Sequence, residues 1–130
     1  MRRMGSDARS VRQARDFTIT TVQRWGTAER HADIATVVSE LVTNAARHGR
    51  PDSGEPAPRW PIRLGLVRPG PCVLCAVADL SNEPPVPKEL GYLAETGRGL
   101  QVIDALSDQW GFTSPSGGGK VVWALFSTPP

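Results

Sequence analysis

Ser39-Glu40-Leu41-Val42-Thr43-Asn44-Ala45-Ala46-Arg47-His48-Gly49 carries more chemistry per residue than any other segment of this chain. At about 100° per residue, Ile34, Val38, Leu41, Val42 and Ala45 share one flank of a helix, which the pattern predicts from about Asp33 to His48. Gly49 is placed to end it. Glu40, Asn44, Arg47 and His48 fall together in a separate sector. The helix therefore buries one side and presents a carboxylate, an amide and basic groups on another. An ordinary amphipathic helix would show the same division. Asn is a mediocre helix former, however, because its side chain competes for backbone hydrogen bonds, so an Asn in mid-helix needs a reason.

Working outward, Ser10-Val11-Arg12-Gln13 has the form of a capping box, and a helix is expected from near residue 10. Val11, Ala14, Phe17, Thr18, Thr21, Val22 and Trp25 follow at helical spacing, and Gly26 is a natural stop. Residues 50–59, rich in proline, read as a loop. Ile62, Leu64 and Leu66 alternate as in a strand with one covered face, and Pro69-Gly70-Pro71 makes a turn. The apolar run Cys72–Ala78, ending at Asp79, predicts a central strand. Residues 80–98 form a long irregular segment, and a helix follows from about Gly99 to Ser107. Two more strands are expected near Asp108–Thr113 and Lys120–Ser127, with Val121, Trp123 and Leu125 on one face read as core. Helix, helix, strand, strand, helix, strand, strand implies an α+β fold. It is a two-layer α/β sandwich, its sheet mixed but mostly antiparallel, with the helices on one face. Residues 1–9 read as a flexible N-terminus and 10–128 as the single domain.

At 130 residues, 39% hydrophobic and 22% charged, one small globular domain fits and global disorder does not. No run approaches the roughly 18 apolar residues of a membrane helix, and no hydrophobic segment follows Met1–Asp7 as in a secretory signal. The expected location is the cytoplasm. The net charge of +2 hides a basic first thirty residues, at +4, against −2 for the remainder. A basic segment could meet nucleic acid or an acidic protein, but a solvated helix face explains the same residues and is the more ordinary reading. No aromatic interleaving or binding motif supports nucleic acid, which ranks last. Cys72 and Cys75 stand three apart on a strand and so point to opposite faces, with no second pair to complete a metal site. No sequence motif includes His31, and no Ser–His–Asp arrangement stands out.

Residues Glu40 to Gly49 resemble the N-box of the GHKL ATPases, in particular their small anti-sigma-factor serine kinase branch. The resemblance implies that Asn44 holds the Mg²⁺ bridging the phosphates of ATP and that Glu40 is the general base. Mg²⁺ keeps most of its waters and needs only one or two protein oxygens, and a carboxylate one turn away can reach the nucleophile. Arg47 and His48 are candidates for phosphate contact or helix capping. Asp79 stands where the family places its adenine-reading aspartate, which accepts from the exocyclic amine where guanine offers a carbonyl. The family continues D-x-G-x-G, whereas this chain has Ser81 and Glu83 in place of the glycines. Glu95-Thr96-Gly97-Arg98-Gly99-Leu100 is similar to the second glycine box, with Gly97, Gly99 and Leu100 at the phosphates and Arg98 adding charge. Residues 80–98 would then form a short lid. Gly117-Gly118-Gly119-Lys120 resembles the last box and makes Lys120 a candidate phosphate contact. It is not a P-loop, because Ser114 and Val121 stand where that motif needs Gly and Ser or Thr.

These boxes occur in family order from about Val11 to Phe126. Relatives usually begin with a strand before the first helix, and here that strand is expected to be absent or reduced. A complete sensor histidine kinase is not expected at this length. The resemblance implies an ATP-binding regulator with serine/threonine kinase activity toward an anti-anti-sigma partner. A sigma factor would be the competing partner, and homodimerisation is compatible with the reading. The alternative is a non-catalytic interaction module of the same fold, with weak or no nucleotide binding.

Overall fold

The computed structural model describes residues 2–4, 8–26, 28–48, 61–82 and 94–128. In chain order these form β1 (Arg2–Met4), α1 (Ala8–Arg24), a short 3-10 turn (Ala28–Arg30), α2 (His31–His48), β2 (Ile62–Val67), β3 (Cys72–Asp79), α3 (Ala94–Leu106), β4 (Gln109–Thr113) and β5 (Lys120–Ser127). Gly49 and the loop of residues 50–59 lie outside the described residues, as do residues 83–93 of the expected lid.

The strands make one sheet in the order β1-β2-β3-β5-β4. Every neighbouring pair is antiparallel, so the sheet is not mixed. Arg2–Met4, expected as part of a flexible leader, pairs with Ile62–Leu64 and supplies the reduced edge strand. Three residues suffice there because β2 already offers an unpaired ladder edge. The helices α1 and α2 pack on each other, α3 lies against α2, and α2 crosses over β3.

Alternation along the strands decides what the helices cover. Ile62 and Leu64 from β2, Val73, Cys75 and Val77 from β3, and Val122, Ala124 and Phe126 from β5 point into one core. Ala14 and Val22 of α1, the apolar flank of α2 from Ile34 to Ala45, and Leu100 and Ile103 of α3 close it from above. The expectation that Val121, Trp123 and Leu125 form core is overturned, since they occupy the opposite phase of β5 and are only half-buried. β5 is apolar at both phases, so its own sequence does not reveal which face the helices take. On that outer face the Trp123 indole lies over Gly111, where a Cβ would come within 2.8 Å of the ring.

Both long helices begin earlier than their sequence signals suggest. Ser10 falls inside the first turn of α1 instead of capping it. Gly26, at φ 72°, ends that segment in the left-handed conformation glycine tolerates. The guanidinium of Arg68 donates to the Trp25 carbonyl beside it. Ser39 and Thr43, poor helix formers, donate to the carbonyls of Ala35 (2.8 Å) and Ser39 (2.7 Å), so neither hydroxyl seeks a partner across α2.

Candidate functional site

The polar flank of α2 is the first component. Glu40 and Asn44 are half-buried, one turn apart, on a helix whose other side is fixed by seven buried residues. Arg47 and His48, in the last turn, are exposed. A carboxylate and an amide at i and i+4 lie on one face about 5–6 Å apart at their Cβ atoms. The Asn44 amide oxygen suits Mg²⁺ that arrives with substrate phosphates, because such an ion keeps waters and takes few protein ligands. Among the described residues no group of three or more His, Cys, Asp or Glu could hold a bare metal ion.

The second component lies where β3 ends and β5 begins. Asp79 and Lys120 are register partners, and both continue the inward-facing phase of their strands. The rule that buries Val77 and Val122 therefore sets a carboxylate and an ammonium side by side at the edge of the core. Lys120 Nζ lies 2.9 Å from Asp79 Oδ2 and 3.0 Å from Oδ1, with the two side chains 6% and 2% exposed. Lys120, expected at a phosphate, instead pairs with the residue expected at adenine. Sequence reasoning had both residues but not their contact, which cross-strand register alone creates.

The backbone around this pair is tightly organised. Ser81 N–H donates to Asp79 Oδ1 at 2.9 Å, and Gly119 N–H donates to Asn82 Oδ1 at 2.8 Å. Asn82 is thus a site residue that the sequence reading missed, although an Asn two residues before a Pro-rich stretch is a turn signal. Gly119 has φ 78°, and a Cβ there would overlap the Asp79 carbonyl oxygen. Ser81, standing where the family has glycine, is buried with an ordinary φ, since no non-glycine among the described residues has a positive one. The substitution therefore imposes no backbone strain at that position. Glu83 lies outside the described residues.

The third component differs most from expectation. α3 begins at Ala94, about five residues earlier than the sequence suggested, so Gly97 and Gly99 lie within the helix rather than in a turn before it. Ala94 and Glu95 are strong helix formers and offset the roughly 1 kcal/mol cost of each glycine. Leu100, expected at the nucleotide, is 4% exposed and belongs to the core. Its amide is past the first four helical N–H groups, which alone lack intrahelical partners. The side chain of Arg98 lies outside the described residues.

Other sites recede. Cys72 and Cys75 do point to opposite faces, and burial pushes the Cys75 thiol up to about 12, which leaves it inert. A hollow of about 340 Å³ between the end of α3 and β4, lined by Asp104, Ser107, Asp108, Gln109, Trp110 and Trp123, contains none of the expected site residues. Among the described residues no helix is long and apolar enough to cross a membrane.

No curated protein matches the chain. Residues 4–126, from the last residue of β1 to Phe126 in the core strand β5, match the family model of the histidine kinase-like ATPase domain, which implies ATP binding. With the fold, the N-box helix and the strand-end aspartate all inside that span, the chain belongs to the histidine kinase-like ATPase domain family.

Proposed function

We propose that this domain is an anti-sigma-type regulator that binds ATP–Mg²⁺ and phosphorylates a serine or threonine of an anti-anti-sigma partner. The observation that carries the reading is the half-buried pair Glu40 and Asn44 on one flank of α2, within a chain of this ATPase family. ATP lies between that flank, the Asp79 end of β3 and the first turns of α3, where Gly97 and Gly99 present no side chains. Asn44 would hold the Mg²⁺ that accompanies the phosphates, with the Arg47 guanidinium and the His48 ring nearby on the last turn of α2. The partner's hydroxyl oxygen attacks the γ-phosphorus, the bond to the β,γ-bridging oxygen breaks, and ADP leaves. Glu40 takes the hydroxyl proton. A sigma factor competes for the same domain, which places the chain in the cytoplasm.

One observation favours the non-catalytic alternative. Both carboxylate oxygens of Asp79 already hold Lys120, so base recognition starts from an occupied aspartate. Calorimetry with ATP–Mg²⁺ decides between them. Binding that Asn44→Ala and Asp79→Ala abolish, with labelled γ-phosphate reaching a serine-bearing partner, supports the kinase. Absence of binding supports the interaction module.

A further inference from the structure

The hollow of about 340 Å³ between the end of α3 and β4 has a chemistry of its own. Its volume is at the small end of ligand pockets, about 300–1,000 Å³, which suits a single side chain. Sequence and register build it. β4 ends the sheet order, so its outer edge has no strand partner among the described residues. Trp110 falls on the helix-covered phase of β4, opposite Ala124, and Trp123 on the other phase, opposite Gly111. Because Gly111 has no side chain, the Trp123 indole lies across β4 and reaches the hollow. An indole from each phase therefore lines it.

The remaining wall is acidic. Trp110 Nε1–H donates to Asp104 Oδ1 at 3.0 Å, which fixes that carboxylate beside the indole. Asp108 Oδ2 accepts from Arg30 Nη1 (2.9 Å) and from the Ser127 N–H. Arg30 is shared with Asp33 at 3.7 Å, so Asp33, Asp104 and Asp108 stand against one guanidinium. Among the described residues Asp104 Oδ2 and Asp108 Oδ1 accept no hydrogen bond. Two indoles and two open carboxylate oxygens select a cation and repel phosphate. A guanidinium suits them better than an ammonium, because it is planar and weakly hydrated. It stacks on an indole while its N–H fork meets a carboxylate. The free edge of β4 favours a polypeptide as its carrier, since such an edge offers N–H and C=O groups to an extended chain.

We propose that this hollow, walled by Trp110, Trp123, Asp104 and Asp108, is a docking site for an arginine side chain of a partner protein. It is independent of the nucleotide-binding reading above. NMR titration of the isotope-labelled, unaltered chain follows the indole N–H resonances of Trp110 and Trp123. The probes are N-acetyl-argininamide, N-acetyl-lysinamide and N-acetyl-citrullinamide, the last keeping the shape of arginine without its charge. Saturable shifts of both indoles are expected with the arginine probe at millimolar concentration, and binding at least about fivefold weaker with citrulline. Asp104→Asn keeps an acceptor for Trp110 Nε1–H and removes only the charge. It is expected to weaken the arginine probe about threefold and to leave the citrulline probe unchanged. Equal binding of arginine and citrulline, or no saturable shift with arginine, overturns the proposal, and neither result needs a variant to fold. A lysine probe as tight as arginine overturns the choice of guanidinium, and unchanged arginine binding in folded Asp104→Asn overturns the role of that carboxylate.

Discussion

Glu40 and Asn44 sit on the same flank of α2, and substitutions separate their tasks. On the kinase reading proposed above, Glu40→Gln keeps size and hydrogen-bonding capacity but cannot take a proton, so phosphoryl transfer should fall about 10²–10⁴-fold with ATP affinity nearly unchanged. Single-turnover transfer measured beside calorimetric binding checks this, and equal losses in both would assign Glu40 to binding instead. Gly119 makes a different demand. Its φ of 78° and the overlap of any Cβ with the Asp79 carbonyl predict that Gly119→Ala costs about 1–3 kcal/mol, read from urea midpoints. Gly117, which has open space around it, should tolerate the same change.

Between elements, Arg30 acts as a clasp. From the turn before α2, its guanidinium donates to the Leu106 carbonyl at the end of α3 (2.8 Å) and to the Ser127 carbonyl at the end of β5 (3.0 Å). It also pairs with Asp108 ahead of β4 (2.9 Å) and lies over the Phe126 ring at 5.1 Å. Asp108 is partly exposed, so the ion pair itself contributes little and the carbonyl bonds more. Arg30→Ala is expected to destabilise by about 2 kcal/mol in chemical denaturation. The Asp108 carboxylate is held below its usual value of 3.8 chiefly by the Ser127 N–H; burial opposes this, and the Arg30 guanidinium lowers it further. A lowered folded pKa means that this stabilisation is present above about 3.8 and is lost as pH falls through the folded value. The stability gap between the unaltered chain and Asp108→Asn should therefore be open at pH 6 and narrow toward pH 2. A gap constant with pH would show that the charge contributes nothing.

Among the described residues, helices cover one sheet face and not the other, and energies should divide accordingly. Phe126, fully buried, should cost about 3–5 kcal/mol when changed to Ala. Val67, 53% exposed on the outer face, should change stability by no more than about 0.5 kcal/mol as Val67→Ser. Similar losses at both would mean that the outer face is covered in solution. The α+β class, the long helices and strands β2, β3 and β5 were legible because their hydrophobic periods are strong. β1 was not, because Arg2–Met4 has no period of its own and exists only through pairing with β2. The start of α3 was hidden by Gly97 and Gly99, which read locally as a turn although the helix runs through them.

By itself the sequence determined the helix that carries Glu40 and Asn44, the strand that ends at Asp79, and the order of the boxes between them. Those features depend on local spacing, which a linear chain displays directly. Tertiary structure alone decided that Val122, Ala124 and Phe126, rather than their neighbours, face the helices, and that Lys120 meets Asp79. Both outcomes depend on cross-strand register, set jointly by two segments forty-one residues apart, and neither segment encodes it alone.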